Sequence, residues 1–495
     1  MKFKKMAAAL LVASSLAFPC MSYAQSGAQV QPTAKNDTTT VILNGPNVTA
    51  PNATAVQSNT TSDTIQIQLN GKNITFTDAQ PVIEAGHVYV PFRTVFEALN
   101  SQVDYDEPTG AITAKRGDKT ISLKSGSSEI SVDDNGKGSK FKVGNPVFVK
   151  SGRTYVPVRT IAEAFGCRVG WDSNNKTAIV VDKDLFSNGL SGSYTYADKL
   201  FSFLSDVNAK DKAIDCKLNL LTGFKNEDGT DASVSINMKI TGSQTKDATQ
   251  IDIAISSTGN NIDKLMDDIG EENQDIVNAL KSSNITLVLD SKNSVFYAKG
   301  ELISALLKVP DDTWVTLSKD DLESLGFMGG EGLSYLFSPV SQTSFKNTID
   351  TTLDIVPIND VVTSKAIFDA LDSELTLYKD SSFKKTANGY TSTSKSNIAE
   401  GSTTTNTLNI NTDNKDSVTG YSINSDTDLS GISTVNANIT CTADSATATM
   451  TMDVPNTINL KLDLTANYTY GEQPAVTIPS GNTVSLKDKL SNLFN

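Results

Sequence analysis

The sequence predicts an α+β chain: a small domain of two strand–helix–hairpin units, followed by a mainly antiparallel β domain with helical inserts. Three observations predict it. Residues 86–106 (GHVYVPFRTVFEALNSQVDYD) recur at 152–172 (GRTYVPVRTIAEAFGCRVGWD) at a constant offset of 66, with ten of 21 positions identical. After about residue 210 the hydrophobic period changes from helical to two, and the runs 213–224, 232–241 and 248–256 alternate apolar and polar residues. From about 383 to 470 the chain is Thr-, Ser- and Asn-rich, with turn signals ANG, DNKD and GEQP between alternating runs.

Taken in order, Met1–Ala24 has the form of an export signal. Lys2, Lys4 and Lys5 precede an apolar run from Met6 to Phe18, Pro19 breaks it, and Ser22-Tyr23-Ala24 puts small residues before a cleavage point. The run is too short to span a membrane, and no later segment approaches 18 consecutive apolar residues. Pro19 stands before Cys20 where a lipobox requires Gly or Ala, so lipidation is not expected. The chain ends in SLKDKLSNLFN with no sorting motif and hydrophobic tail, so attachment to a surface is expected to be non-covalent. Residues 25–62 are polar, carry only Lys35 and Asp37 as charges, and read as a disordered linker. Their Asn-x-Thr triplets at Asn47, Asn52 and Asn59 are read as chance.

Each repeat unit has a local logic. Gly86 permits a turn and Val88-Tyr89-Val90 suits a strand. Pro91 ends that strand, lacking a ladder donor, yet fits a helix start, as does Pro157 in the second copy. Val95, Phe96 and Leu99 make a short apolar stripe. Asn100 and Gly166 fall where a left-handed C-cap is expected. Arg93–Glu97 and Arg159–Glu163 are spaced i,i+4 and read as a buried clamp between helix and sheet, in preference to an anion or glycan site. A strand, a turn (DEPTG or DSNN) and a second strand close the unit.

The Y-V-P-[FV]-R-T-x-x-E-A core, the following hydrophobic–x–[YW]-D and the paired copies resemble the copper amine oxidase N-terminal-domain-like (stalk domain) family over residues 64–182. That resemblance implies a secreted or surface protein of a Gram-positive bacterium, with unrelated domains attached. It does not imply an oxidase, because the family's catalysis needs three His ligands to copper in a separate domain. This chain has one His, so that site cannot be built from it.

Residues 183–195 form a Gly/Ser hinge, and 193–495 is expected to be one β-rich stretch, as one domain or two. A helix over 196–207 presents Leu200, Phe203 and Leu204 on one face. NEDGTD (226–231) and VDDNGKG (132–138) are read as hairpin turns, since neither has the ligand ladder of a calcium loop. Helical spacing returns at 261–281, through Ile262, Leu265, Met266 and Ile269 and then Ile276, Val277 and Leu280. Strands at 284–290, 294–299 and around Trp314 follow, with helices near 301–307, 319–326, 341–350 and 359–373. The order of helix, meander, helical insert, long meander and Pro-containing tail resembles the LolA/LppX-like lipoprotein-carrier fold, an open half-barrel, over residues 193–490. The resemblance implies an acyl-binding cleft lined by Leu265, Met266, Ile269, Leu306 and Leu307. The same residues also read as a plain core stripe.

Composition narrows function. A net charge of −14 argues against nucleic acid or an anionic membrane as partner. Of four cysteines, Cys20 lies in the signal and Cys167, Cys216 and Cys441 form no CxxC, so no zinc site is expected. Cys216 and Cys441 fall on the apolar phase of their strands, either as a disulfide or as two buried thiols. No G-x-S-x-G, H-E-x-x-H, P-loop or Rossmann pattern occurs, and His87 sits in a turn. No catalytic residue, cofactor or metal ligand is expected. Three readings remain: a secreted non-catalytic envelope protein whose stalk presents a β-rich binding domain, a hydrophobe carrier, and a carbohydrate hydrolase working through paired carboxylates. The corresponding partners are a cell-wall component or a hydrophobic ligand.

Overall fold

A computed structural model describes residues 64–142, 146–190, 192–225, 231–259, 274–324, 344–399, 402–429, 433–455 and 458–493. The export signal and linker expected over 1–62, and the helical turns expected over 261–273, lie outside them. The described residues divide into two compact units, 64–190 with 355–372, and 192–354 with 373–493. Residues 355–372 thus differ from the boundary expected from sequence, which left them in the β-rich stretch.

The first unit contains strands β1 (Gln66–Leu69), β2 (Lys72–Asn73), β3 (Val82–Glu84), β4 (His87–Pro91), β5 (Gln102–Asp106), β6 (Ala111–Arg116), β7 (Lys119–Lys124), β8 (Glu129–Asp134), β9 (Lys137–Lys142), β10 (Phe148–Lys150), β11 (Arg153–Pro157), β12 (Arg168–Asp172) and β13 (Thr177–Val181). Three helices join them, α1 (Phe92–Ala98), α2 (Val158–Ala164) and α3 (Lys183–Asn188). The sheets run β12-β13-β1-β2, β10-β11-β4-β3 and β5-β6-β7-β8-β9. Along β6, β7 and β8 every second residue points inward (Ile112, Ala114; Ile121, Leu123; Ile130, Val132). β13 is buried at every position and pairs in parallel with β1, the pattern of a strand covered on both faces.

The two copies share fine detail. Pro91 and Pro157 end their strands and cap α1 and α2. Asn100 (φ 55°) and Gly166 (φ 89°) take the left-handed conformation the sequence requires there. The N–H of Ser101 donates to Phe96 O (2.9 Å) and that of Cys167 to Ala162 O (3.0 Å), the same Schellman closure twice. β4 and β11 pair antiparallel, with Val90 opposite Val156, Tyr89 opposite Pro157 and Pro91 opposite Tyr155. The VDDNGKG stretch is a hairpin turn: Asn135 (φ 53°) and Gly136 (φ 81°) link β8 to β9, and Asp133 accepts the Gly136 N–H (2.8 Å).

Segment 355–372 is held by two close approaches and one carboxylate. Gly170 lies against the backbone of Ile358, and Gly71 against Phe368, where any Cβ would collide. Asp172 accepts the Val361 N–H at 3.0 Å as well as the Asn174 and Asn175 N–H groups.

The second unit is organised around one antiparallel sheet. Its strands are β14 (Lys212–Lys225), β15 (Asp231–Gln244), β16 (Ala248–Gly259), β17 (Ser282–Asp290), β18 (Val295–Gly300), β19 (Trp314–Ser318), β20 (Lys384–Thr386), β21 (Gly389–Ala399), β22 (Ser402–Thr412), β23 (Val418–Leu429), β24 (Ser433–Thr442), β25 (Ser445–Val454), β26 (Ile458–Tyr470) and β27 (Thr483–Ser485). They run β20 to β26 in order, then β14 to β19, then β27, with only β19–β27 parallel. The β14–β26 pairing joins the early and late meanders, so the β-rich stretch has one sheet.

The sheet has two chemically distinct faces. Ile214, Cys216, Leu218 and Leu220 on β14, Val234 to Ile240 at every second position on β15, and Leu462, Leu464 and Ala466 on β26 are buried. The helices of this unit are α4 (Thr195–Asn208), α5 (Gln274–Lys281), α6 (Glu301–Leu307), α7 (Lys319–Ser324), α8 (Phe345–Ile355), α9 (Val361–Tyr378, its last turns) and α10 (Leu486–Leu493). α4 packs on β23, α5 on β16 and β17, and α6 on β17 and β18. On α4 the buried face is Leu200, Phe201 and Leu204; sequence periodicity pointed to Phe203 in place of Phe201. Phe201, Phe345 and Tyr378 form an aromatic cluster with centroids 4.8–5.9 Å apart. Remote carboxylates cap these helices: Asp380 accepts the Tyr196 N–H at 3.2 Å, and Asp198 the Phe345 N–H at 2.8 Å. Cys216 and Cys441 are buried and are free thiols, as is Cys167.

Candidate functional site

The repeat-motif pairs lie at the surface. Arg93–Glu97 is 4.0 Å apart with both side chains more than half exposed, and Arg159–Glu163 is 3.4 Å apart with exposures of 55% and 51%. The buried clamp expected from sequence is therefore not formed: these helices turn their i,i+4 ion pairs outward and bury Val95, Phe96, Ile161 and Ala162. Arg159 nonetheless ties α2 to β12 by donating to Val169 O at 2.7 Å.

A partly buried cation of this unit is Arg116. Its guanidinium donates to Leu99 O (3.3 Å) and Phe165 O (2.9 Å), the carbonyls just past α1 and α2, and pairs with the Asp182 carboxylate. It also lies over the Phe165 ring, 4.9 Å from its centroid. Asp182 in turn caps α3 by accepting the Leu185 N–H at 3.0 Å. Burial and the Asp182 carboxylate push the neighbouring Cys167 thiol up, so it is inert. The Arg116 guanidinium and the Asp182 carboxylate are both engaged in structural contacts.

Of the candidate hydrophobe-lining residues, Leu265, Met266 and Ile269 lie outside the described residues. Leu306 is 43% exposed and Leu307 half-buried on α6, whose buried positions are Leu302 and Ser304. Further along the helical layer, Glu374 continues the α9 stripe Ile367–Leu371 towards Tyr378, and burial pushes its carboxyl up to about 8.

The polar face of the sheet carries a groove of about 470 Å³. Two adjacent rungs across four strands line it. One is Thr465–Lys217–Lys239–Ala254, the other Asp463–Asn219–Asn237–Ser256. Ala254 and Ser256 are short, which leaves space beside the longer Lys239 and Asn237. Asn219 donates to Asn237 Oδ1 at 2.6 Å and to Ser235 Oγ at 3.0 Å. Asp463, the one carboxylate in the described lining, is paired with Lys461 at 2.9 Å. Alternation in the sequence put Lys217, Asn219 and Lys239 on the wet face. Which of them would be neighbours depends on a register set by long-range pairing.

No group of three or more His, Cys, Asp or Glu placed to hold a metal occurs among the described residues. The single His, His87, is exposed in β4.

The first unit is thus a tandem β-α-ββ domain of structural type. Residues 68–180 match the family model "Copper amine oxidase N-terminal domain" and have that domain's fold. No curated protein matches the chain. Among solved structures, the outer membrane protein Omp33 of Acinetobacter baumannii aligns over 53% of this chain and 100% of its own, at 5% identity and a TM-score of 0.12. A score that low carries no argument about fold or function.

Proposed function

We propose a secreted, non-catalytic cell-envelope protein in which the copper amine oxidase N-terminal-like domain presents the β-rich unit as a binding module. One observation carries the reading: the long sheet buries one apolar face, with helices packed on it at β16, β17, β18 and β23, and carries a groove on its polar face. The carbohydrate-hydrolase reading loses support at that groove, where Asp463 is the one carboxylate among the described lining residues and is paired with Lys461. The test is fractionation of the source cells followed by intact mass measurement. The expected species starts near Gln25 and is found in the medium or on the surface. A cytoplasmic species retaining Met1 would sink the reading.

A second reading, hydrophobe carriage, has its own observation: helices packed on the apolar sheet face, with half-buried Glu374, whose carboxyl pKa is raised by desolvation, on α9 of this unit. Native mass spectrometry of protein from the source cells, followed by organic extraction, decides it. A bound lipid mass favours carriage. A bare protein mass that stays bare with a lipid panel removes it.

A further inference from the structure

We infer that the groove on the polar sheet face binds a phosphate ester of a polyol or sugar. This deepens the binding-module reading by naming a site and a ligand class, but the binding itself does not depend on where the protein resides. The argument begins with Lys217 and Lys239, which stand directly opposite one another on β14 and β15. Both are exposed, and neither has an ion-pair partner among the described residues. Like charges directly opposite on neighbouring strands oppose pairing. An anion seated between two ammonium groups removes that opposition and gains two charge-assisted hydrogen bonds.

The second rung fixes the rest of the ligand. Asn219 donates to Asn237 Oδ1 and Ser235 Oγ, which leaves Asn219 Oδ1 as an acceptor and Asn237 Nδ2 as a donor on two residues that line the groove. Asp463, fixed by Lys461, accepts hydroxyl protons, and Ser256 and Thr465 add hydroxyls of their own. Rungs on one face of a strand are about 7 Å apart and strands about 4.8 Å apart. A phosphoryl group over the lysines therefore places a neighbouring diol over the amides and Asp463.

The test uses the full chain and three probes: glycerol 3-phosphate, inorganic phosphate and glycerol. Titration calorimetry or amide chemical shifts should show glycerol 3-phosphate binding more tightly than phosphate, and no binding of glycerol. Lys217→Gln with Lys239→Gln should weaken the ester about tenfold or more. Both substitutions are on exposed positions and remove a repulsion, so the melting temperature should hold or rise. Phosphatidylglycerol vesicles present the same glycerol diol on a phosphodiester: co-sedimentation lost in the double variant assigns the source to a lipid headgroup, and binding of the soluble ester alone assigns it to a free ester. No binding of ester or vesicle up to roughly 10 mM phosphoryl groups, equal binding of glycerol, or an unchanged affinity in the double variant would overturn the inference. Failure here would leave a secreted mature species intact as a result, so the two readings fail separately.

Discussion

Arg116 and Asp182 occupy equivalent positions of the two repeats, 66 residues apart, and form the buried ion pair between them. The carbonyls that Arg116 also reaches, Leu99 O and Phe165 O, are an equivalent pair as well. Equivalent positions of the two repeats thus meet through opposite charges. The side chains are 16% and 2% exposed, so Asp182 is desolvated and Arg116 largely so, unlike the motif pairs.

Removing Arg116 should therefore unfold the first unit more readily than any motif substitution. Arg116→Met leaves Asp182 buried without its cation and two helix-end carbonyls without a donor, at a cost of about 3–5 kcal/mol. Arg116→Lys should recover only part, because one ammonium cannot serve three acceptors set out for a planar fork. Urea unfolding followed by fluorescence of Trp171, in β12 of this unit, measures both. A loss under about 1 kcal/mol for Arg116→Met would contradict the node's role.

The motif pairs should behave oppositely. Arg93→Ala and Glu163→Ala remove exposed i,i+4 partners and should each change stability by no more than about 0.5 kcal/mol. Arg159→Ala should cost more, about 1 kcal/mol, because it also removes the hydrogen bond to Val169 O. The same unfolding measurement ranks the three.

Asp172 makes the attachment of residues 355–372 acid-sensitive. Burial works to raise its pKa, but hydrogen bonds from the Val361 N–H and from Asn175 and Asn174 outweigh it and hold the carboxyl below its usual range. A depressed folded pKa gives stability that is present above the unfolded value, about 3.9, and is lost as pH falls through the folded one. Amide exchange at Val361 should accelerate, relative to a pH-matched free peptide, only below about pH 4. Asp172→Asn should shift that exchange to all pH values.

Glu374 should act in the other direction. Its folded pKa of about 8 lies above the unfolded carboxylate value, so its stability is fully present in acid and is lost as pH rises towards and through 8. Glu374→Gln removes that loss. The variant should match the parent near pH 4 and melt higher at pH 9, by roughly 5 °C. Equal melting curves at pH 9 would show that the carboxyl ionises without cost.

Legibility followed the range of the interactions. The strand ends at Pro91 and Pro157, the left-handed caps at Asn100 and Gly166, and the Asn135-Gly136 turn are local, and local chemistry announces them. The alternation of β14 to β16 gave each strand's wet and dry phases, because a period of two is enough for that. The Arg116–Asp182 node was invisible, since nothing near either residue distinguishes it from an exposed charge. The docking of Ile358 and Phe368 on Gly170 and Gly71 was equally hidden, as it joins stretches nearly 190 and 300 residues apart. The groove needed register across β26, β14, β15 and β16, which only the assembled sheet supplies. The motif pairs were misplaced because i,i+4 spacing fixes a shared helix face without saying which way that face points.

The pairing of β4 with β11 has an evolutionary reading. Val90 faces Val156, and its flanking contacts are reciprocal, so each copy offers its partner the same edge it receives. That is the self-complementary geometry of a homodimer, here fused into one polypeptide. A single copy expressed alone would present that edge to a second molecule. Duplication within one chain keeps the partner at high effective concentration and so shields the edge from trading partners with neighbouring molecules.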